Sequence, residues 1–226
     1  MTGHEPPRQS YLRSRSGRVA LLVALVLDVF VVPLLMADGT LPIRTGDVFF
    51  AAVMLVAIWA LGRGRARGWA MALALAAFLV QFLRFFGTGR TGAIVDAAQS
   101  AAALAHVALQ VLSDTRRGDP MVDRLLDVVL VYVLMGAAFA LVYEVVDRAS
   151  PGALSLAPDR RDDFEYVYFS ITTMTSVGSG TVVPVSRVAR LLVMVESLAG
   201  QLYVAVLVAR FVSLSGAARA RVTGAR

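Results

Sequence analysis

The segment Ser176-Val177-Gly178-Ser179-Gly180 has the residue types and spacing best suited to bind an ion. Two glycines separated by one residue permit positive φ at alternate positions, where side chains with a Cβ are rarely found. A strand that alternates handedness in this way turns successive carbonyl oxygens toward the same side. Carbonyl oxygens grouped around an axis can replace the hydration shell of a cation.

Enzyme chemistry finds no support in the sequence. The chain has no cysteine and two histidines, which excludes thiolate nucleophiles, disulfides and zinc–thiolate sites. All 22 basic residues are arginines, so a Walker A lysine and Schiff-base chemistry are excluded as well. No cluster combines a nucleophile with a base or gathers metal ligands. We therefore expect neither an enzyme nor a bound cofactor.

The composition is that of a membrane protein. Of the 226 residues, 58% are apolar and 17% are charged, whereas soluble domains are near half apolar and a quarter charged. The mean hydropathy is +0.69. In so apolar a chain, the net charge of +6 is better explained by membrane sidedness than by a nucleic-acid surface. We expect a lipid bilayer as partner and no nucleic acid.

Six stretches approach the length of about 20 apolar residues that a bilayer-spanning helix needs. They are residues 19–36, 48–61, 69–86, 93–112, 125–146 and 188–214. The predicted fold class is therefore an all-α membrane protein with six transmembrane helices. Fourteen of the 22 arginines lie in segments on the same side as the N-terminus. The positive-inside rule then places both termini in the cytoplasm of a multi-pass protein of the cell inner (plasma) membrane.

The loop before the sixth span contains a helix too short to cross the membrane. Residues 163–175 are amphipathic and aromatic, and they begin with acids that suit a helix N-terminus. We predict a re-entrant helix here, whose negative C-terminal end faces residues 176–180. Non-helical backbone at membrane depth is tolerated only where it is buried in protein or lines water.

The sequence TTMTSVGSGTVVP over Thr172–Pro184 resembles the pattern TTxTTVGYGDxxP of the potassium-channel superfamily. The preceding YFSI is also similar to bacterial and two-pore members. Gly200 lies sixteen residues after Pro184, where the family often has a gating-hinge glycine. The resemblance covers residues 125–214, and the first four spans match six-helix channels only in number and order.

This resemblance implies a homotetramer with a pore on its four-fold axis, which passes potassium or potassium and sodium. The selectivity filter would be residues 176–180, between helices 5 and 6. The resemblance implies five segments in chain order. They are a cytoplasmic tail (1–18), a four-helix peripheral domain (19–113), a linker (114–124), a pore domain (125–214, with pore helix 163–175 and helix 6 at 188–214) and a second tail (215–226).

The filter departs from the family pattern at three positions. Ser179 replaces an aromatic residue, Thr181 replaces an aspartate, and Tyr168 and Phe169 stand where voltage-gated relatives have a tryptophan pair. The network that braces the filter in those relatives must therefore be rebuilt or absent, and strong potassium selectivity is in doubt. The residues expected to support the filter are Phe169, Thr172, Thr173, Thr175, Thr181 and Glu196.

Glu196 and Gly200 share one face of the last span, one helical turn apart. Acids inside spans are costly and are candidates for function. We expect that Glu196 either braces the filter from behind, near Thr172 and Thr173, or binds protons and so gates the channel. The alternative is that Glu196 is a neutral or paired acid that only packs helices together. Gly200 is predicted to be a gating hinge, and a close helix contact is the alternative.

The fourth span, 93–112, contains no arginine, so we expect negligible gating charge there. The function predicted is a tetrameric cation channel that is not steeply voltage-gated. Two alternatives remain open: a non-selective or sodium-passing channel, and a non-conducting membrane interaction protein that retains the channel fold.

Overall fold

The computed structural model describes residues 8–37, 50, 52–53, 55–57, 90–114, 121–157 and 162–223. The predicted third span and most of the second lie outside the described residues. Within the described residues the regular structure is helical, apart from one isolated bridge between Leu154 and Pro184. The predicted all-α class agrees with this architecture.

The first predicted span is a helix with an irregular turn. Helix α1, Arg8–Val26, continues through a π-helical turn, Leu27–Val31, into α2, Val32–Ala37. Pro33 has no backbone N–H to complete the preceding helical turn, and a wider π-turn is one way in which a helix accommodates such a gap. Residues 8–18, predicted as a tail, belong to α1 in the structure.

Helix α3, Arg90–Asp114, and helix α4, Met121–Ala149, form the centre of the described structure. They pack along each other, and α1 packs against α4 as well. Their contact surface is an apolar core to which every one of these helices contributes. Its fully buried members include Leu21, Leu25, Leu130, Leu134 and Ala103.

The C-terminal part contains a short helix between two long ones. Helix α5, Asp163–Met174, lies between α4 and helix α6, Arg187–Thr223. Val122–Ala149 and Arg187–Arg210 are each long and apolar enough to cross a membrane. The other spans stay predictions. Helix α6 also continues into residues 215–223, which were predicted as part of a tail.

Candidate ion site

Helix α5 begins and ends where its sequence provides caps. The Asp162 side chain accepts a hydrogen bond of 3.0 Å from the Glu165 backbone N–H, which satisfies one of the free donors of the first turn. Asp163 and Glu165 lie in that turn, where negative charge suits the helix dipole. The helix ends at Met174, so its carbonyl end faces the segment that starts at Ser176.

The backbone alternates in handedness along this segment. Ser176, Gly178 and Gly180 have φ of 60°, 78° and 69°, and Ser176 is the one non-glycine with positive φ among the described residues. Glycine adopts such angles without steric cost, whereas serine is strained by them. Strain of this kind persists only where the surroundings hold it in place.

The last turn of α5 holds the start of the segment in place. The Thr172 carbonyl oxygen accepts hydrogen bonds from the backbone N–H groups of Val177 and Gly178, at 2.9 and 3.0 Å. The Thr173 carbonyl oxygen accepts one from Ser176, at 3.0 Å. Because these N–H groups point back toward α5, the free carbonyl oxygens of the same peptides point away from it.

The threonine hydroxyls predicted as filter support act within α5. The Thr172 hydroxyl donates to the Tyr168 carbonyl oxygen at 2.7 Å, and the Thr175 hydroxyl donates to that of Ile171 at 2.7 Å. Thr173 is buried, and Thr181, directly after the segment 176–180, is exposed. Thr172 and Thr173 thus contact the segment through their main chains rather than their hydroxyls.

Ser179 and Tyr168 together brace the outer end of the segment. The Ser179 hydroxyl accepts a hydrogen bond from the Val182 N–H at 3.1 Å and donates to the Val182 carbonyl oxygen at 2.8 Å. The Tyr168 phenol donates to the Ser179 carbonyl oxygen at 3.0 Å. These hydrogen bonds connect this end of the segment to Tyr168 and Val182, through groups other than those of the family pattern. One lone pair of the Ser179 carbonyl is used in doing so.

A short two-stranded contact anchors the chain beyond the segment to the loop after α4. The Ser155 N–H donates to the Val183 carbonyl oxygen, and the Val185 N–H donates to that of Ala153, both at 2.9 Å. The Ser155 hydroxyl accepts from the Val183 N–H at 2.8 Å. This contact joins residues 153–155 to residues 183–185.

Asp147, at the end of α4, joins this loop to α5. Its carboxylate accepts hydrogen bonds from the Leu154 N–H at 3.3 Å and from the Tyr166 phenol at 3.1 Å. Burial, together with the negative charge of Asp147, raises the pKa of the Tyr166 phenol. The phenol therefore stays protonated and remains a donor.

Glu196 is fully buried where α4, α5 and α6 meet. One carboxyl oxygen lies 2.6 Å from the Tyr143 hydroxyl on α4, and the other lies 2.5 Å from the Ser170 hydroxyl on α5. The Tyr143 ring packs edge-on against Phe169, with centroids 4.8 Å apart. The contact on α5 is with Ser170, two to three residues before the expected Thr172 and Thr173. Ser197 donates a hydrogen bond to the Thr173 carbonyl oxygen instead.

Gly200 lies where α6 contacts the C-terminal end of α5. A Cβ at Gly200 would clash with the carbonyl oxygen of Met174, so the absence of a side chain permits this approach. Helix α6 runs through Gly200 without interruption. The structure thus gives Gly200 a packing role, and the hinge stays a prediction.

The residue after Gly200 reaches the inner end of the segment. The Gln201 side-chain amide donates a hydrogen bond of 2.9 Å to the Ser176 hydroxyl, and both residues are exposed in the single chain. Two residues further on, the Tyr203 phenol donates to the Val128 carbonyl oxygen of α4 at 2.8 Å.

A re-entrant helix, a following strand of alternating handedness and two flanking apolar helices define the class of pore-loop membrane proteins. A family model described as an ion channel matches residues 128–215, which include these elements apart from the first residues of α4 and the last residues of α6. Residues 128–215 are thus similar to an ion-channel family, which agrees with the resemblance to the potassium-channel superfamily that the sequence motif indicates in this segment. No curated protein matches the chain significantly.

Four residues that contact the predicted site were absent from the expected support set. Ser170 and Tyr143 are hydroxyl residues within segments predicted to lie in the membrane, a signal that each needs a buried partner. Tyr168 was considered only as a substituted tryptophan, and Gln201 only as a neighbour of the hinge. For all four, the partner is distant in sequence, so the sequence gives no direct sign of it.

Proposed function

We propose that four copies of the chain surround a common axis in the cell inner (plasma) membrane and conduct monovalent cations, potassium or potassium and sodium, along residues 176–180. Both termini lie in the cytoplasm in this proposal. The observation that carries it is the alternation of positive φ at Ser176, Gly178 and Gly180 directly after the end of a re-entrant helix. Such a strand presents a row of oxygens suited to a dehydrated cation.

The exposure of apolar residues supports the assembly of several copies. Val177 is 78% exposed in the single chain although it lies beside the oxygen-lined strand. Lipid does not cover this position, because irregular backbone at membrane depth must face protein or water. Helix α6 is also mostly exposed in the single chain. Of its most apolar stretch 11% is buried, against 39% for the corresponding stretch of α4. Neighbouring copies would cover both surfaces.

The hydrogen bond from Tyr168 to Ser179 favours modest discrimination between potassium and sodium. Because the Ser179 carbonyl oxygen uses one lone pair in this bond, fewer lone pairs remain for an ion, and a site with fewer coordinating oxygens distinguishes potassium from sodium less well. We therefore propose that the channel prefers potassium weakly and that sodium also passes.

The test is ion flux through purified protein in liposomes, with bi-ionic reversal potentials in potassium and sodium and native mass spectrometry to count the copies. We expect four copies, and permeability for both cations with potassium higher. Equal permeability would favour the non-selective alternative. A tetramer without flux would favour the non-conducting interaction protein, and a monomer would overturn the proposal.

Two glycine variants separate loss of the pathway from loss of the fold. Gly178 and Gly152 both have strongly positive φ, 78° and 86°, with nothing within 4 Å of an added Cβ. Gly178→Ala and Gly152→Ala therefore introduce similar backbone strain. We expect Gly178→Ala to abolish flux and Gly152→Ala to retain it, because Gly152 lies in the turn after α4.

A further inference from the structure

The number of hydrogens needed for the hydrogen bonds around Glu196 indicates whether its carboxyl group is protonated. Three short oxygen–oxygen contacts meet there: Tyr143 hydroxyl to Glu196 at 2.6 Å, Ser170 hydroxyl to Glu196 at 2.5 Å, and Ser170 hydroxyl to the Gly136 carbonyl oxygen at 2.7 Å. Each contact needs one hydrogen between its oxygens. The two hydroxyls supply two, and the carbonyl has none.

The third hydrogen has to come from the carboxyl group. If Glu196 were ionised, the single Ser170 hydrogen would serve either Glu196 or Gly136, and the other pair of oxygens would face each other at short range without a hydrogen. If Glu196 is protonated, it donates to Ser170, Ser170 donates to Gly136, and Tyr143 donates to the second carboxyl oxygen. Every contact is then a hydrogen bond.

The surroundings are consistent with a neutral group. Glu196, Ser170 and Tyr143 each have no exposed surface, and an ionised carboxylate in such a place is costly unless it is paired. The hydrogen-bond partners of Glu196 among the described residues are the two hydroxyls, neither of which carries a positive charge.

We propose that Glu196 is a positioning residue that works as a neutral carboxylic acid: it donates its proton to Ser170 and so joins α4, α5 and α6 behind the segment 176–180. Any effect of Glu196 on conduction rests on the proposed function, because the segment 176–180 is hydrogen-bonded to the end of α5. The protonation state itself does not depend on conduction.

Infrared spectroscopy of the purified full-length protein at neutral pH tests the proposal directly. A protonated carboxylic acid gives a carbonyl stretching band that an ionised carboxylate lacks. We expect the difference spectrum between wild type and Glu196→Gln to contain this band. The matched control is Glu144→Gln, because Glu144 is paired with Arg148 at 2.6 Å and should be ionised. Absence of the band from the Glu196 difference spectrum would overturn the proposal.

Thermal unfolding of two variants provides a second, independent measurement. A glutamine amide can donate to Ser170 and accept from Tyr143, as the neutral acid does, whereas alanine does neither. We expect Glu196→Gln to unfold near the wild-type temperature and Glu196→Ala clearly below it. If Glu196→Gln is destabilised as much as Glu196→Ala, the neutral acid is wrong. Liposome flux of the wild type, measured beside these, shows whether the proposed function stands regardless.

Discussion

A single phenol determines how many free carbonyl oxygens the outer end of the filter segment offers. The Tyr168 hydroxyl donates to the Ser179 carbonyl oxygen at 3.0 Å. Hydrogen bonding to an oxygen competes with its coordination of a cation, since both use the same lone pairs. In the proposed channel, Tyr168 would therefore influence an ion site without belonging to the segment that forms it.

Tyr168→Phe should strengthen cation binding at the outer end. Loss of one hydrogen bond is worth about 1 kcal/mol, which corresponds to about a fivefold change in affinity. We expect single-channel conductance to saturate at a correspondingly lower external potassium concentration. The control is Tyr166→Phe, which removes a phenol of the same helix that bonds Asp147 instead. Equal saturation in the two variants would contradict the prediction.

At the inner end, Gln201 has a corresponding effect on Ser176. Its amide donates to the Ser176 hydroxyl at 2.9 Å, so Gln201→Met should free a lone pair of that oxygen. We expect conductance to saturate at a several-fold lower internal potassium concentration, again from about 1 kcal/mol. Tyr203→Phe removes a neighbouring hydrogen bond that does not reach the segment and serves as the control. An unchanged saturation curve in Gln201→Met would exclude the effect.

At the scale of the elements, two glycines allow α5 to lie close to its neighbours, and they differ in what limits substitution. An added Cβ at Gly200 meets the backbone carbonyl of Met174, which belongs to the end of α5 and has no freedom to move alone. An added Cβ at Gly136 meets the end of the Ile171 side chain, at 2.6 Å, and that side chain can rotate away.

Gly200→Ala should therefore be the more damaging of the two alanine substitutions. Overpacking against fixed atoms costs about 1–3 kcal/mol, and we expect this range for Gly200→Ala and less than 1 kcal/mol for Gly136→Ala. The measurement is the free energy of unfolding in detergent. If instead Gly200→Ala keeps its stability and alters gating alone, the hinge is the better explanation of this glycine.

The sequence predicts the helical elements near the site well and their contacts poorly. The start of α5 follows from its capping aspartate, and positive φ at Gly178 and Gly180 follows from glycine chemistry. Positive φ at Ser176 does not, because it depends on hydrogen bonds to the end of α5. The partner of Glu196 on α5 is Ser170, two to three residues before the expected Thr172 and Thr173, because the angle at which two helices cross is set by packing.

Outside the site, the sequence likewise predicts the apolar parts of helices better than their ends. Apolar periodicity predicts the part of a helix that is buried in protein or lipid. Residues 8–18 and 215–223 are helical without an apolar stretch, so hydropathy predicted tails there. Their helical form continues that of the adjoining apolar segments.

At the scale of the whole molecule, an ion pair between largely buried side chains connects α1 to α4. Arg18 on α1 lies 3.0 Å from Asp127 on α4, with side chains 11% and 2% exposed. Removal of one partner of a buried pair leaves an uncompensated charge and costs about 3–5 kcal/mol, whereas apolar replacement of both is often neutral.

Arg18→Met should lower the free energy of unfolding by about that amount, and addition of Asp127→Leu should restore most of it. The control is Arg148→Met, which breaks the pair with Glu144 on α4, where the side chains of Arg148 and Glu144 are 34% and 11% exposed. We expect a smaller loss than for Arg18→Met, because water reaches this pair and screens it. Failure of the double variant to recover stability would show that Asp127 has a further role that leucine does not fill.

The peripheral helices should contribute little to voltage sensing. Movement of one charge through the membrane field supplies about 2.3 kcal/mol per 100 mV, so steep voltage dependence requires several mobile charges. Helix α3, which contains the fourth predicted span, has its one arginine at its first residue, Arg90. A conductance–voltage relation measured in planar bilayers should therefore be shallow, and Arg90→Gln should leave it unchanged. A steep relation that became shallow in Arg84→Gln would contradict this, because it would place the mobile charge just before α3 rather than within it.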